Sequence, residues 1–295
     1  MSTPNTQRPG TKGRPDIAHA MLGRQLRVLR ESRRVSRAAA ERHIGGSHSK
    51  ISRIESGRTG VKEDDLDRLL DLYGVNDPKE RQAMLELTCR LNHRQWWQAH
   101  SEILGGWFCS YLVFESIAEY IRTYEVRFIP GLLQTRAYAE AVVRLHYHNE
   151  DEVRRRVEAR MLRQEVLLRQ GTPRLWAVVD EAALYEQIGG PDVMRQQIDF
   201  LAQVAAKPQL HIQVLPSGAA GRVGIGNSFS MLRLRLKNLS DVVYLEHIGS
   251  ALFLENPDDL DPYKIAMTRL SLAAGKAEET TDALRNARGR HSQAR

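Results

Sequence analysis

The chain has 295 residues, 42% of them hydrophobic and 27% charged, a balance ordinary for a soluble globular protein and a length sufficient for two domains. No run approaches the roughly 18 consecutive apolar residues of a membrane span, and the polar opening MSTPNTQRPGTKGRP lacks the apolar stretch of a signal peptide. The net charge of +7 is unevenly spread: residues 1–76 hold 15 Lys+Arg against 9 Asp+Glu, residues 77–275 hold 23 against 24, and residues 276–295 hold 5 against 3. Such a focused excess points to a polyanionic partner at one end.

The two cysteines, Cys89 and Cys109, are too few for a disulfide framework and have no Cys or His beside them at metal spacing. No metal and no cofactor are expected, and a reducing cytoplasm, with the protein associated with the nucleoid, is the expected compartment.

Residues 1–20 read as a basic flexible arm. The string QRPGTKGRP sets three basic residues among Pro and Gly, and it serves either to follow a minor groove or only as a disordered start. Residues 21–76 read as four short helices. In MLGRQLRVLRESR, Leu22, Leu26 and Leu29 fall at i, i+4, i+7, so an amphipathic helix is expected over 21–33. Ser36 can cap a second helix, RAAAERHI, which Gly45 and Gly46 stop. Ser47 is expected to cap a third over 48–56, stopped by Gly57, and a fourth over 63–73 carries Leu66, Leu69, Leu70 and Tyr73 on one side. A tight glycine turn between the second and third helices makes a helix-turn-helix.

Helical phase assigns the third helix its task. At about 100° per residue, Ile51, Ile54 and Arg58 cluster on one side, while Ser49, Ser52, Arg53 and Ser56 cluster on the other, with His48 at the N-terminal edge. Two isoleucines dock the helix, and the small, donor-rich face suits a major groove, where short side chains allow close approach to base edges.

The residues LRVLRESRRVSRAAAERHIGGSHSKISRIESGR resemble the Cro/C1-type (XRE) helix-turn-helix regulators. SKISRIESGR and VKEDDLDRLLDLYGV resemble an actinomycete, WhiJ-like and toxin–antitoxin-like branch of them; IRTYEVRFIPGLLQT, LWAVVDEAAL and LHIQVLPSG resemble the uncharacterised C-terminal domain of that branch. The resemblance spans about residues 20 to 275. Two positions depart from it: Glu41 stands where a small residue is usual, and Arg37 where many members have Gln. By position, the resemblance implies base contacts for His48, Ser49 and Arg53, to which helical phase adds Ser52. It implies phosphate contacts for Arg37, Ser47, Ser56 and Arg58, and Lys50, between the two faces, is assigned to a phosphate. It implies an internal ion pair between Arg30 and Glu55.

Residues 77–110 read as a helical connector that ends in RQWWQAHSEILGGWF, a tryptophan-rich stretch suited to an interdomain or dimer contact and equally to core packing. Residues 111–275 read as a regulatory or partner-binding α+β domain with a small mixed sheet of about four strands. Those strands are RLWAVVD, LHIQVL, FSMLRLRL and DVVYLEH, with helices near 112–124, 132–147, 151–169 and 191–206 and a closing helix in DPYKIAMTRLSLAAG. Residues 276–295 read as a flexible tail. The glycine-rich GRVGIGNSF leads into a strand, which disfavours a phosphate cradle, and no nucleophile elbow, zinc-protease motif or Walker lysine occurs. His146 and His148 are two apart and point to different sides. Glu181, His211, Gln213 and Glu246, on or beside strands, could line a pocket.

These features lead to a sequence-specific transcriptional regulator rather than an enzyme, bound as a homodimer to an inverted-repeat operator in double-stranded DNA. The alternative is an antitoxin-like protein that neutralises a small protein partner encoded nearby. A DNA-targeted enzyme lacks a nucleophile or metal site in this sequence.

Overall fold

The computed structural model describes residues 17–47, 49–93, 95–165, 173–234 and 241–293, and the chain divides into two compact units at Gln95/Trp96. The first unit is all helix: α1 (Ile17–Ser32), α2 (Arg37–His43), α3 (Lys50–Glu55), α4 (Glu63–Leu72) and α5 (Pro78–Asn92). Residues 17–20, expected in the arm, are the first turn of α1, and residues 1–16 lie outside the described part. Helix α2 starts where the Ser36 hydroxyl accepts from the Ala39 amide at 3.1 Å, and it ends at Gly45, φ +65.

Ser47 does not cap α3. The helix begins at Lys50, and its capping position is Ser49, held at φ +73 with no side-chain cap bond. A single turn closed by the Ser47 carbonyl and the Lys50 amide (3.1 Å) takes the place of a hydroxyl cap. The core of this unit joins Met21, Leu22 and Leu26 of α1 to Ile51 and Ile54 of α3, Leu66, Leu69 and Leu70 of α4, and Met84 and Leu87 of α5. Helix α5, expected as part of a connector, is tied into this unit. Its Arg81 bonds Asp71 at 2.6 Å, the Asp67 carboxylate and the Val75 carbonyl (3.2 Å).

The second unit runs through α6 (Ser101–Leu104), α7 (Gly106–Ile117), β1 (Ala118–Glu125), α8 (Arg136–Arg144), α9 (Glu150–Glu165), β2 (Arg174–Asp180), α10 (Glu181–Tyr185), α11 (Pro191–Val204) and β3 (Leu210–Leu215). It continues through α12 (Ala219–Val223), β4 (Phe229–Leu234), β5 (Val242–His247), β6 (Ser250–Leu254), α13 (Pro257–Ala273) and α14 (Ala277–Gln293). Its mixed sheet has six strands rather than four, in the order β3-β2-β1-β4-β5-β6; β1, β2 and β3 are parallel and the other neighbours antiparallel.

The two extra strands have separate causes. Residues 112–124 were expected as one helix because Leu112, Val113, Ile117 and Ile121 keep helical spacing. The helix stops at Ile117, and Tyr120, Ile121, Thr123 and Tyr124, all good strand formers, pair with β2 on one side and β4 on the other. Strand β6 is five residues long and is fixed by pairing, Tyr244 with Phe253 and Leu245 with Leu252. The segment 276–295 is likewise no loose tail up to Gln293. Helix α14 packs on α11, burying Thr280, Leu284, Ala287 and His291. Arg288 bonds Asp199 at 2.5 Å, and the His291 imidazole donates to the Leu184 carbonyl at 2.8 Å.

One face of the sheet carries Tyr124, Val178, Phe229, Met231 and Val243 under Leu260, Met267 and Leu270 of α13, an apolar core. By strand alternation the opposite face presents Thr123, Ser230 and Tyr244, in register across three strands, toward α7.

Candidate nucleic-acid interface

Helix α3 has only six residues, too few to hold itself together. Its position is set by α1. Gly23 lies so close to α3 that a Cβ there would stand 2.2 Å from the Ile54 carbonyl oxygen and 2.9 Å from that of Glu55. At the far end Gly57, φ +68, ends the helix against α1, where a Cβ would meet Ala20 Cα at 2.5 Å. Backbone therefore packs on backbone at two points, and Ile51 and Ile54 fill the space between them.

A charged node completes the attachment. The buried Glu55 carboxylate accepts from Arg30 Nε at 2.5 Å and Nη2 at 3.1 Å, and from Arg37 Nε at 3.1 Å. Arg30 Nη1 also donates to the Val35 carbonyl at 2.9 Å, so this guanidinium links α1, the α1–α2 turn and α3. The bond to Glu55 holds Arg30 above its ordinary pKa, and burial pushes the neighbouring Tyr73 hydroxyl upward. Arg30 and Glu55 are each 6% exposed, whereas the Arg37 side chain is 48% exposed. Arg37 thus gives α2 a direct bond to α3.

The outer face of α3 is open. Ser49, Ser52, Arg53 and Ser56 are exposed, as are Ser47 and Arg58 on either side of the helix. The Ser56 hydroxyl donates back to the Arg53 carbonyl at 3.1 Å, while Arg53 and Arg58 form no ion pair among the described residues. Lys50 is different. Its ammonium lies 2.8 Å from the Asp65 carboxylate on α4, so its charge is spent inside the unit, and it braces α3 where a phosphate contact had been expected. His48 lies outside the described residues.

Exposed Arg34, Arg42, Arg53 and Arg58 leave the α1–α3 region with positive charge unopposed by any described carboxylate. Helix α4 carries five acidic residues, of which Asp67 and Asp71 are taken by Arg81 and Asp65 by Lys50, while Glu31 and Glu55 of α1 and α3 are taken by arginines. The arrangement can present hydroxyls and guanidinium groups to a groove and its phosphates with little local repulsion.

The four residues proposed for a C-terminal pocket do not come together. Glu181 accepts from the Ser217 amide at 3.0 Å. Gln213 is buried and bonds the Trp176 indole (2.7 Å) and the Ser271 and Gly275 carbonyls (both 3.2 Å), and His211 packs edge-on against Trp176. Glu246 stands on β5, four strand steps from β3, about 19 Å away at the usual strand spacing.

Glu246 instead adjoins a polar row that sequence reasoning missed. Ser230 Oγ donates to Thr123 Oγ1 at 3.0 Å, Thr123 to Glu125 at 3.2 Å, and the Tyr244 hydroxyl to Glu246 at 3.2 Å. Arg163 of α9 grips Glu115 of α7 by Nε (2.9 Å) and Nη2 (2.6 Å). Arg160, one turn away, bonds only Gln134 among the described residues, at 2.7 Å, and burial lowers its pKa to about 10; burial raises Glu125 to about 7. Polar residues on the covered face of a central strand would have signalled this row, had β1 been read as a strand.

Two family models match the chain. One, described as a helix-turn-helix domain, covers residues 21–84; the other, described as a domain of unknown function (DUF5753), covers residues 108–286. No curated protein and no solved structure matches it. No helix among the described residues is long and apolar enough to cross a membrane. The second match spans more than half of the chain, which therefore belongs to the DUF5753 family and carries a helix-turn-helix domain, the module of DNA-binding regulators, ahead of it.

Proposed function

We propose that this member of the DUF5753 family is a sequence-specific transcriptional regulator of the Cro/C1-type, WhiJ-like group, that it binds an inverted-repeat operator as a homodimer, and that it has no catalytic role. The observation that carries the reading is the contrast between the two sides of α3. Its inner side is fixed by backbone contact and a buried ion pair, and its outer side offers Ser49, Ser52, Arg53 and Ser56 with no structural task among the described residues beyond one local hydroxyl bond. Ser49, Ser52 and Arg53, with His48 beside them, are assigned to base edges. Arg37, Ser47, Ser56 and Arg58 are assigned to phosphates, and Lys50 to bracing the helix.

A helix of this length covers only a few base pairs, so two copies on half-sites about one helical turn apart are needed for a useful site. The C-terminal domain receives the signal or partner, and Glu125 and Arg160, whose pKa values burial shifts, support that role, because perturbed titratable groups cluster at sites that are used. A cytoplasmic, nucleoid-associated location follows from the DNA role. An antitoxin-like activity toward a small protein partner is compatible with the same architecture, with autoregulation by the same helix.

The test is a genome-wide footprint with the full chain, followed by binding to the recovered site at several salt concentrations. Paired protections one helical turn apart and an affinity that falls steeply with salt are expected. Binding by a monomer, or binding indifferent to salt, would overturn the reading.

A further inference from the structure

Position 89 contradicts the expectation that the cysteines lack a metal-spaced neighbour. Cys89 and His93 are four residues apart at the end of α5, so helical pitch places them on one face. Cys89 Sγ lies 3.3 Å from His93 Nδ1, and Nδ1 lies 3.7 Å from a Glu63 carboxylate oxygen at the first turn of α4. All three donor atoms are within 4.8 Å of one another, and the thiol is half-buried while the imidazole and carboxylate are exposed.

These separations can be compared with what a metal would impose. Zinc binds sulfur at about 2.3 Å and nitrogen or oxygen at about 2.0–2.2 Å, in tetrahedral geometry. The edges of such a tetrahedron are then about 3.6 Å from sulfur to nitrogen and about 3.4 Å from nitrogen to oxygen. The two distances observed differ from those edges by a few tenths of an ångström, within the reach of small rotamer changes. Thiolate, imidazole and carboxylate together also match the donor set that zinc favours over magnesium or calcium.

We propose that Glu63, Cys89 and His93 form a zinc-binding site in the N-terminal unit, with water in the fourth position. Binding replaces the thiol proton, which leaves to solvent, by a sulfur–zinc bond. In the metal-free chain the His93 Nδ1 proton is donated to the Cys89 carbonyl at 2.8 Å, and coordination through Nδ1 moves that proton to Nε2. The metal clamps the start of α4 to the end of α5. Asp65, two residues beyond Glu63, holds Lys50 at the start of α3, so the clamp stiffens the support of the recognition helix.

Cobalt(II) titration of the reduced, metal-free full chain reads the site directly. One equivalent should bring a thiolate-to-cobalt charge-transfer band and the intense visible bands of a four-coordinate ion, all lost on adding zinc. C89S should abolish the charge-transfer band, H93A and E63Q should each weaken binding at least about tenfold, and C109S should leave it unchanged. H93A and E63Q alter exposed side chains and keep the test valid if C89S folds poorly. Zinc at a hundred times its Kd should raise the Tm of the N-terminal transition by roughly 10 °C in the wild type and not in H93A. No band in the wild type, a band that survives C89S, or one lost in C109S would overturn the proposal.

Discussion

Glu55→Ala tests the attachment of the recognition helix. The Arg30 side chain is 7% exposed and its guanidinium spends two of its bonds on Glu55, so the substitution leaves a buried cation with only the Val35 carbonyl and the distant edge of Glu31, at 3.3 Å, among the described residues. Stranding a buried charge costs about 3–5 kcal/mol, whereas the intact pair adds little net stability, because desolvating both charges offsets their attraction. Arg37→Ala removes a partner of the same carboxylate, but that arginine is 48% exposed, and its loss should cost no more than about 1 kcal/mol. In a helical unit of this size, 3–5 kcal/mol corresponds to a fall in Tm of very roughly 15–30 °C. Calorimetry of the full chain should show the N-terminal transition displaced by this amount in Glu55→Ala, barely moved in Arg37→Ala, and the C-terminal transition untouched in both. Arg30→Met combined with Glu55→Leu should recover much of the loss. A melting curve in Glu55→Ala that overlays the wild type would refute the reasoning, for Glu55 would then be no more than a carboxylate with convenient neighbours.

Gly23→Ala adds one methyl group where Ile54 O would lie 2.2 Å away; overpacking against backbone should cost about 3 kcal/mol and lower operator affinity without touching a base contact, as a melt and a binding isotherm would show. Arg53→Ala should cost about 1–3 kcal/mol of binding and relax preference at one position of the site, while Arg58→Ala should weaken all sequences alike and reduce the salt slope by about one; identical sequence profiles for the two would contradict the assignment of faces. Glu125 has its pKa raised from 4.5 to about 7, so its contribution to stability is full below pH 4.5, declines as the pH rises toward 7, and is lost above that. Glu125→Gln should remove this slope and, at pH 8, stabilise the C-terminal unit by up to about 3 kcal/mol in denaturant melts, with no gain near pH 4.

The helix-turn-helix was legible because its signals are local. Ser36 caps, Gly45 and Gly57 stop, and two isoleucines three apart declare which side of a short helix is covered. The α+β character of the second unit was also legible, from alternation in the strands that became β2, β3, β4 and β5. What escaped depended on partners distant in sequence. Ile121 keeps the spacing of the helix before it, and only pairing with Leu175 and Leu232 makes its segment a strand. The buried stripe of α14 is Thr280, Leu284, Ala287 and His291, one large aliphatic in four, so hydropathy conceals it. Cys89 and His93 form a helical i, i+4 pair whose third neighbour, Glu63, comes from another helix, a pattern absent from zinc-finger spacing.

The position of Lys50 connects these cases to the function. A lysine at the head of a recognition helix suggests a phosphate by its charge and phase, yet it is turned to Asp65. A helix of six residues cannot fix its own direction, so some of its polar side chains must be given to its supports: Glu55 to α1 and α2, Lys50 to α4. Close backbone approach at Gly23 and Gly57 supplies the remainder without using any side chain of α3 at all. This division explains how two isoleucines suffice as apolar anchors. It also means that changes in α1 and α4, neither of which need touch DNA, should alter operator affinity nearly as much as changes in the residues assigned to read it.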